Sequence, residues 1–151
     1  MQNDSRMFFI LAATVAILFA PTLAAAENPK ATVYKTPTCG CCSKWVKHLE
    51  ENGIDVEAKD LRDVTPIKKI SGVPRTMASC HTAMIDGYFI EGHVPAEDIK
   101  RLLKERPEIA GLAVPRMPIG SPGMEGPNAK PYRVYAVGTD GSAKVYATHN
   151  P

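Results

Sequence analysis

Three of the chain's four cysteines fall within four positions, in the stretch TPTCGCCSKW from Thr36 to Trp45, as Cys39, Cys41 and Cys42. Cys39 and Cys42 have the C-x-x-C spacing of a redox disulfide. At a helix N-terminus, unpaired N–H groups and the helix dipole favour thiolates. Cys41 is surplus to such a couple, and a vicinal Cys41–Cys42 disulfide would close a strained eight-membered ring. Thiolates that converge on one point also suit a soft, thiophilic ion, Cu(I) above all and Zn(II) as the alternative. A metal centre and a redox couple both stay open at this motif.

Other donors lie downstream. Cys80, the fourth thiol, can meet the cluster as a ligand or as a resolving thiol; the plainer reading is an inert buried cysteine on a strand. His81 follows it, and strand alternation would turn the two side chains to opposite faces, which favours a supporting or surface role over joint ligation. His93, in EGHVP, precedes a helix and is either a secondary site residue or a histidine that orders its loop. Met117 and Met124 flank PIGSPG; thioethers bind Cu(I) and barely bind Zn(II), so they tilt the metal toward copper unless they only anchor the loop. His48 and His149 read as solvated, Met77 and Met84 as core, and Trp45 as packing beside the cluster.

These residues need elements to hold them. ATVYKT (Ala31 to Thr36) reads as a strand, and Ser43 to Asn52 as a helix stopped by Gly53. IDVEAKDL is a second strand, parallel to the first if the helix between them is a crossover. Val64 to Ile70 is a short second helix. Pro74, in SGVPRT, resembles the cis-proline loop of thioredoxins, with an ordinary trans turn as the equal alternative. Asp86-Gly87 between two apolar runs marks a tight hairpin. Pro95 opens a third helix whose acidic start and basic end match the dipole. The class is α/β, with the order β-α-β-α-β-β-α of a thioredoxin-like core. Gly111 to Pro131, with five prolines and four glycines, reads as a long loop. A hairpin about Asp140-Gly141 adds C-terminal strands.

The start of the chain sets the compartment. Met7 to Ala20 are apolar, and Ala24-x-Ala26 satisfies the rule for cleavage before Glu27. Residues 1–26 are therefore expected to be a cleaved signal peptide and 27–151 a single periplasmic domain, in a compartment where thiols oxidise. The net charge is +2 and the basic residues are dispersed. That argues against nucleic acid as a partner, and against a membrane surface after cleavage. No internal repeat of 20 to 50 residues stands out.

TPTCGCCSKW, SCHTAMIDGYFIEGHVP and GLAVPRMPIGSPGMEG together resemble the CopG-type family of exported proteins found with bacterial copper-resistance genes. The resemblance covers nearly all of residues 27–151. It implies a thioredoxin-like domain in which Cys39, Cys41, Cys42 and Cys80 bind copper, as a polynuclear thiolate-bridged Cu(I) cluster, with a role in copper redox handling. Copper ions are then the partners, along with other periplasmic copper-handling proteins. Two other readings stay in play: a thiol–disulfide oxidoreductase using Cys39 and Cys42, and a zinc-stabilised module using Cys39, Cys42, Cys80 and His81.

Overall fold

Alternation along Lys30–Lys35 buries Ala31, Val33 and Lys35 and makes strand β1. In a computed structural model that describes residues 27–151, the expected signal peptide lies outside the described residues. Helix α1, Gly40–Glu51, follows β1 and turns Cys42, Trp45 and Leu49 inward at helical spacing. It ends at Asn52, and Gly53 takes a φ of 72°. Strand β2, Asp55–Asp60, returns parallel to β1 with Ala31 opposite Val56. Helix α2, Thr65–Ile70, has proline in its first turn, and the Asp63 carboxylate accepts from the Thr65 N–H at 2.8 Å.

The expected hairpin is present. Strands β3, Thr82–Ile85, and β4, Tyr88–Glu91, meet across Asp86 and Gly87, both at positive φ (48° and 87°), as a two-residue turn of this kind requires. Helix α3, Ala96–Glu105, starts after Pro95 and buries Ala96, Ile99 and Leu102. Up to this point the element order is the expected strand, helix, strand, helix, strand, strand, helix.

The third segment differs from expectation. Gly111–Ala113, read from sequence as the start of a loop, is a buried strand, β5. It pairs parallel with β4 and antiparallel with β6, Tyr132–Val137, which pairs with β7, Ala143–His149, around the expected Asp140-Gly141 turn. The seven strands form one mixed sheet in the order β2-β1-β3-β4-β5-β6-β7. Glycine at 111 is a steric necessity, because a Cβ there would collide with the Phe89 carbonyl and ring.

The sheet separates two apolar groups. On one side Val33, Ala83, Ile85, Ile90, Leu112 and Val134 pack with Trp45 and Leu49 of α1 and Ile99 and Leu102 of α3. On the other, Phe89, Ala113 and Val137 pack with Val73, Met77 and Met84. Neighbours in sequence such as Phe89 and Ile90 divide between the sides, as the two-residue period of a strand demands. No peptide bond is cis among the described residues, so the trans reading of Pro74 holds. No helix among them is long and apolar enough to cross a membrane.

Candidate metal centre

Cys39 is the residue that caps the start of α1, and Cys41 and Cys42 lie in its first turn. The first turn carries no acidic side chain, so the positive end of the helix dipole is left to favour the thiolates there. Cys39 and Cys42 are joined by a disulfide, while Cys41 and Cys80 are free. The Cys41 sulfur lies 3.5 Å from that of Cys39. Cys42 is fully buried and the other three are half-buried. The four sulfurs all lie within 4.8 Å of one another.

Cys80 reaches them from a bend just before β3 rather than from within a strand. Alternation therefore does not govern it, and the expected divergence of Cys80 and His81 does not occur. The Cys80 sulfur lies 3.3 Å from His81 Nδ1 and 3.1 Å from His93 Nε2. A second donor group, Cys42, Cys80, His81 and His93, thus shares two sulfurs with the first, its atoms again within 4.8 Å of one another. His93 Nδ1 donates to the Pro122 carbonyl at 2.7 Å, which leaves Nε2 as the bare nitrogen facing the sulfur. His81 is fully buried between Trp45, whose ring centre is 4.3 Å away, and His93, at 5.2 Å. Its Nε2 has no hydrogen-bond partner among the described residues.

Burial disfavours the charged forms of Cys80, His81 and His93. Burial pushes the Cys80 thiol up to about 11. Burial, reinforced by the neighbouring His93 and Lys68, holds His81 well below the usual histidine range. Burial also lowers His93, against the contrary pull of the Pro122 carbonyl and Glu125. Neutral imidazoles are the form that ligates metals. The fit to a soft ion rests on the crowded sulfurs, a bare imidazole nitrogen aimed at them, and a buried nitrogen left unpaired.

A support for Cys80 escaped the sequence reading. Glu91 of β4 is fully buried and accepts at one carboxylate oxygen from Lys68 Nζ (2.6 Å) and the Ser79 N–H (2.5 Å). Its other oxygen accepts from the Thr82 hydroxyl at 2.6 Å. The Ser79 hydroxyl donates to the Arg116 carbonyl. The bend that carries Cys80 is thereby tied to α2, β4 and the proline-rich segment at once. The available signal was a glutamate inside the apolar run GYFIEG.

The proline-rich segment closes over the helix start. Gly123, at φ 83°, packs so near α1 that a Cβ would sit 2.8 Å from the Cys41 carbonyl oxygen and 2.9 Å from the Trp45 nitrogen. Met124 shares a cavity of about 480 Å³ with Gly40 and Cys41. Met117 is half exposed and lines a different cavity, with Arg116, Arg133 and Tyr135 and with none of the cysteines. The structure thus brings Met124 toward the cluster and leaves Met117 apart. Trp45 is core, as expected, and donates from its indole nitrogen to the Val94 carbonyl at 2.8 Å. His48 and His149 are not simply solvated. His48 Nε2 accepts from the Ala96 N–H at 3.1 Å, and His149 lies 2.7 Å from an Asp98 carboxylate oxygen.

Two solved structures are similar to this chain in sequence and fold. One, copper resistance protein CopG in form 2, is 46% identical, covers 82% of this chain and all of its own, and superposes with a TM-score of 0.78. The other, copper resistance protein CopG in form 1, is 45% identical over 83% of this chain and all of its own, with the same TM-score. A family model described as protein of unknown function, DUF411, matches residues 77–124, the span that holds Cys80, His81, His93, Met117 and Met124. No curated protein matches the chain.

Proposed function

The chain belongs to the CopG family of copper resistance proteins, and on that premise we propose that it takes up Cu(I) with Cys39, Cys41, Cys42 and Cys80 as thiolates. The observation that carries this reading is the mutual proximity of four sulfurs, two more than a disulfide couple uses. Copper is here the cargo. His93 and His81 are placed to complete its donors, and Met124 to shield or assist at the Cys41 side. A site with this many soft donors holds more than one Cu(I), bridged by thiolates. Because thiols must lose protons to ligate, loading releases them, and the Cys39–Cys42 disulfide must first be reduced by two electrons from a dithiol or two donor thiols, which leave as a disulfide. Copper and that disulfide therefore compete for the same sulfurs. We also propose export: the mature chain begins at Glu27 in the periplasm, which intact-mass measurement of the purified protein tests directly.

The disulfide at the start of α1 favours a second reading, a thiol–disulfide oxidoreductase. The mixed group Cys42, Cys80, His81 and His93 favours a third, a zinc site of two sulfurs and two nitrogens. Anaerobic competition against Cu(I) and Zn(II) chelators separates them. Reduced protein should hold Cu(I) far more tightly than Zn(II), and Cys41→Ser should lower the number of Cu(I) bound per chain. If Cys41→Ser binds as much copper as the wild type, the surplus sulfur is not a ligand and the four-thiolate reading fails.

A further inference from the structure

Cys42 belongs to both donor groups, with Cys39 and Cys41 on one side and Cys80, His81 and His93 on the other. It is half of the existing disulfide, and the free Cys80 sulfur lies within 4.8 Å of it. We infer that the disulfide migrates: Cys80 attacks the Cys42 sulfur, a Cys42–Cys80 bond forms, the Cys39–Cys42 bond breaks, and Cys39 leaves as a thiol. One S–S bond replaces another and one proton passes from Cys80 to Cys39, so no oxidant or reductant is consumed. His93 Nε2 and His81 Nδ1, 3.1 and 3.3 Å from the attacking sulfur, are within reach to carry that proton. The leaving sulfur is favoured by its place at the helix start and by the Cys41 thiol 3.5 Å away. This deepens the redox reading of the same site and requires no metal.

Migration changes what the surface offers. With the bond at Cys39–Cys42, the free thiols are Cys41 and Cys80, from separate segments of the chain. With the bond at Cys42–Cys80, the disulfide joins a fully buried sulfur to the bend before β3. Cys39 and Cys41, neighbours and half exposed, are then both free. A chain that holds one disulfide thus still presents an adjacent pair of thiols to a soft ion or to a partner's disulfide. Cys80 acts as an internal resolving nucleophile.

The test uses metal-free oxidised protein in non-reducing buffer with an alkylating label present throughout. Trypsin cuts after Lys35, Lys44, Arg75 and Lys100, so Cys39, Cys41 and Cys42 share the peptide 36–44 while Cys80 lies in 76–100. Migration is expected to produce a disulfide between these two peptides together with label on Cys39, read by fragment-ion mass spectrometry. In Cys80→Ser the cross-peptide link should vanish and labelling of Cys39 should slow about tenfold or more. In Cys41→Ser the link should persist and map to Cys42. The idea is overturned if wild-type Cys39 stays unlabelled after Cys41 is fully modified, or if Cys42 becomes labelled instead, which would leave the bond on Cys39 rather than on Cys42. Either result leaves copper binding by the reduced protein untouched, because no metal enters the experiment.

Discussion

At Glu91 a charge is fully buried in a central strand, and three donors from separate segments meet it. Burial of a carboxylate is costly, and its pairing with Lys68 only offsets that cost; the asymmetry appears when one partner is removed. Glu91→Gln keeps the shape but leaves the Lys68 ammonium, whose side chain is 13% exposed, without its counter-charge. The amide nitrogen would also face a Thr82 hydroxyl that already accepts from Lys68 at 3.1 Å. Urea unfolding should show a loss of about 3 kcal/mol, and the double variant with Lys68→Met should lose less than that. A Glu91→Gln protein within about 0.5 kcal/mol of wild type would mean that the carboxylate is not the tie we describe. Since Ser79 hangs from the same oxygen, the variant should also bind Cu(I) less tightly through a loosened Cys80, whereas Lys47→Ala on an exposed face of α1 should not.

Among the elements, α3 begins without a side-chain cap of its own, and the Ala96 N–H turns instead to His48 of α1. Only a bare nitrogen can accept that bond. Burial lowers the His48 pKa below 6.5; Glu125, Glu51 and Glu97 oppose the shift in part, and Lys100 adds to it. A histidine with a depressed folded pKa contributes stability that is complete above its unfolded value and lost as pH falls below about 6.5. His48→Gln retains an acceptor and cannot titrate. Between pH 7.5 and 5.5 wild type should therefore lose about 0.5–1 kcal/mol more than the variant, as one hydrogen bond fails; parallel pH profiles would remove His48 from the linkage. The residues that were legible in sequence and those that were not divide on the same physical line. α1 and the β3–β4 hairpin could be read because apolar spacing and Asp-Gly turn chemistry are local. β5 could not, since three residues show no period and its existence depends on partners in β4 and β6. The Cys80–His81 relation was misread because alternation holds only inside a strand, and Cys80 sits at a bend before one. His48 and Glu91 were missed because what gives each its role, the Ala96 N–H or the Lys68 ammonium, is distant in sequence. The cysteine cluster was legible in sequence, with Cys80 and His93 as candidate partners, and the fold supplied their distances and the His81 contact.

For the whole molecule, the Cys39–Cys42 bond joins residues only three positions apart within one turn. So short a loop restrains the unfolded chain weakly, by about 2 kcal/mol on the entropic account. Copper held by all four cysteines does something different: it ties the start of α1 to the bend before β3, two segments that the Cys39–Cys42 bond does not join. Binding to the folded state alone stabilises it by mass action, by about 4 kcal/mol when free ligand exceeds the dissociation constant a thousandfold. Three forms should therefore melt in a fixed order. Reduced apo protein should be lowest, the oxidised apo form about 8 °C higher, and the reduced copper-loaded form highest, by about 8 °C over the oxidised form at about 4 °C per kcal/mol. Scanning calorimetry of residues 27–151, with Cu(I) supplied anaerobically from a chelator buffer, gives the order directly. Copper-loaded protein that melts no higher than the oxidised apo form would show that the ion is held within the C-G-C-C turn alone, with Cys80 left out of the site.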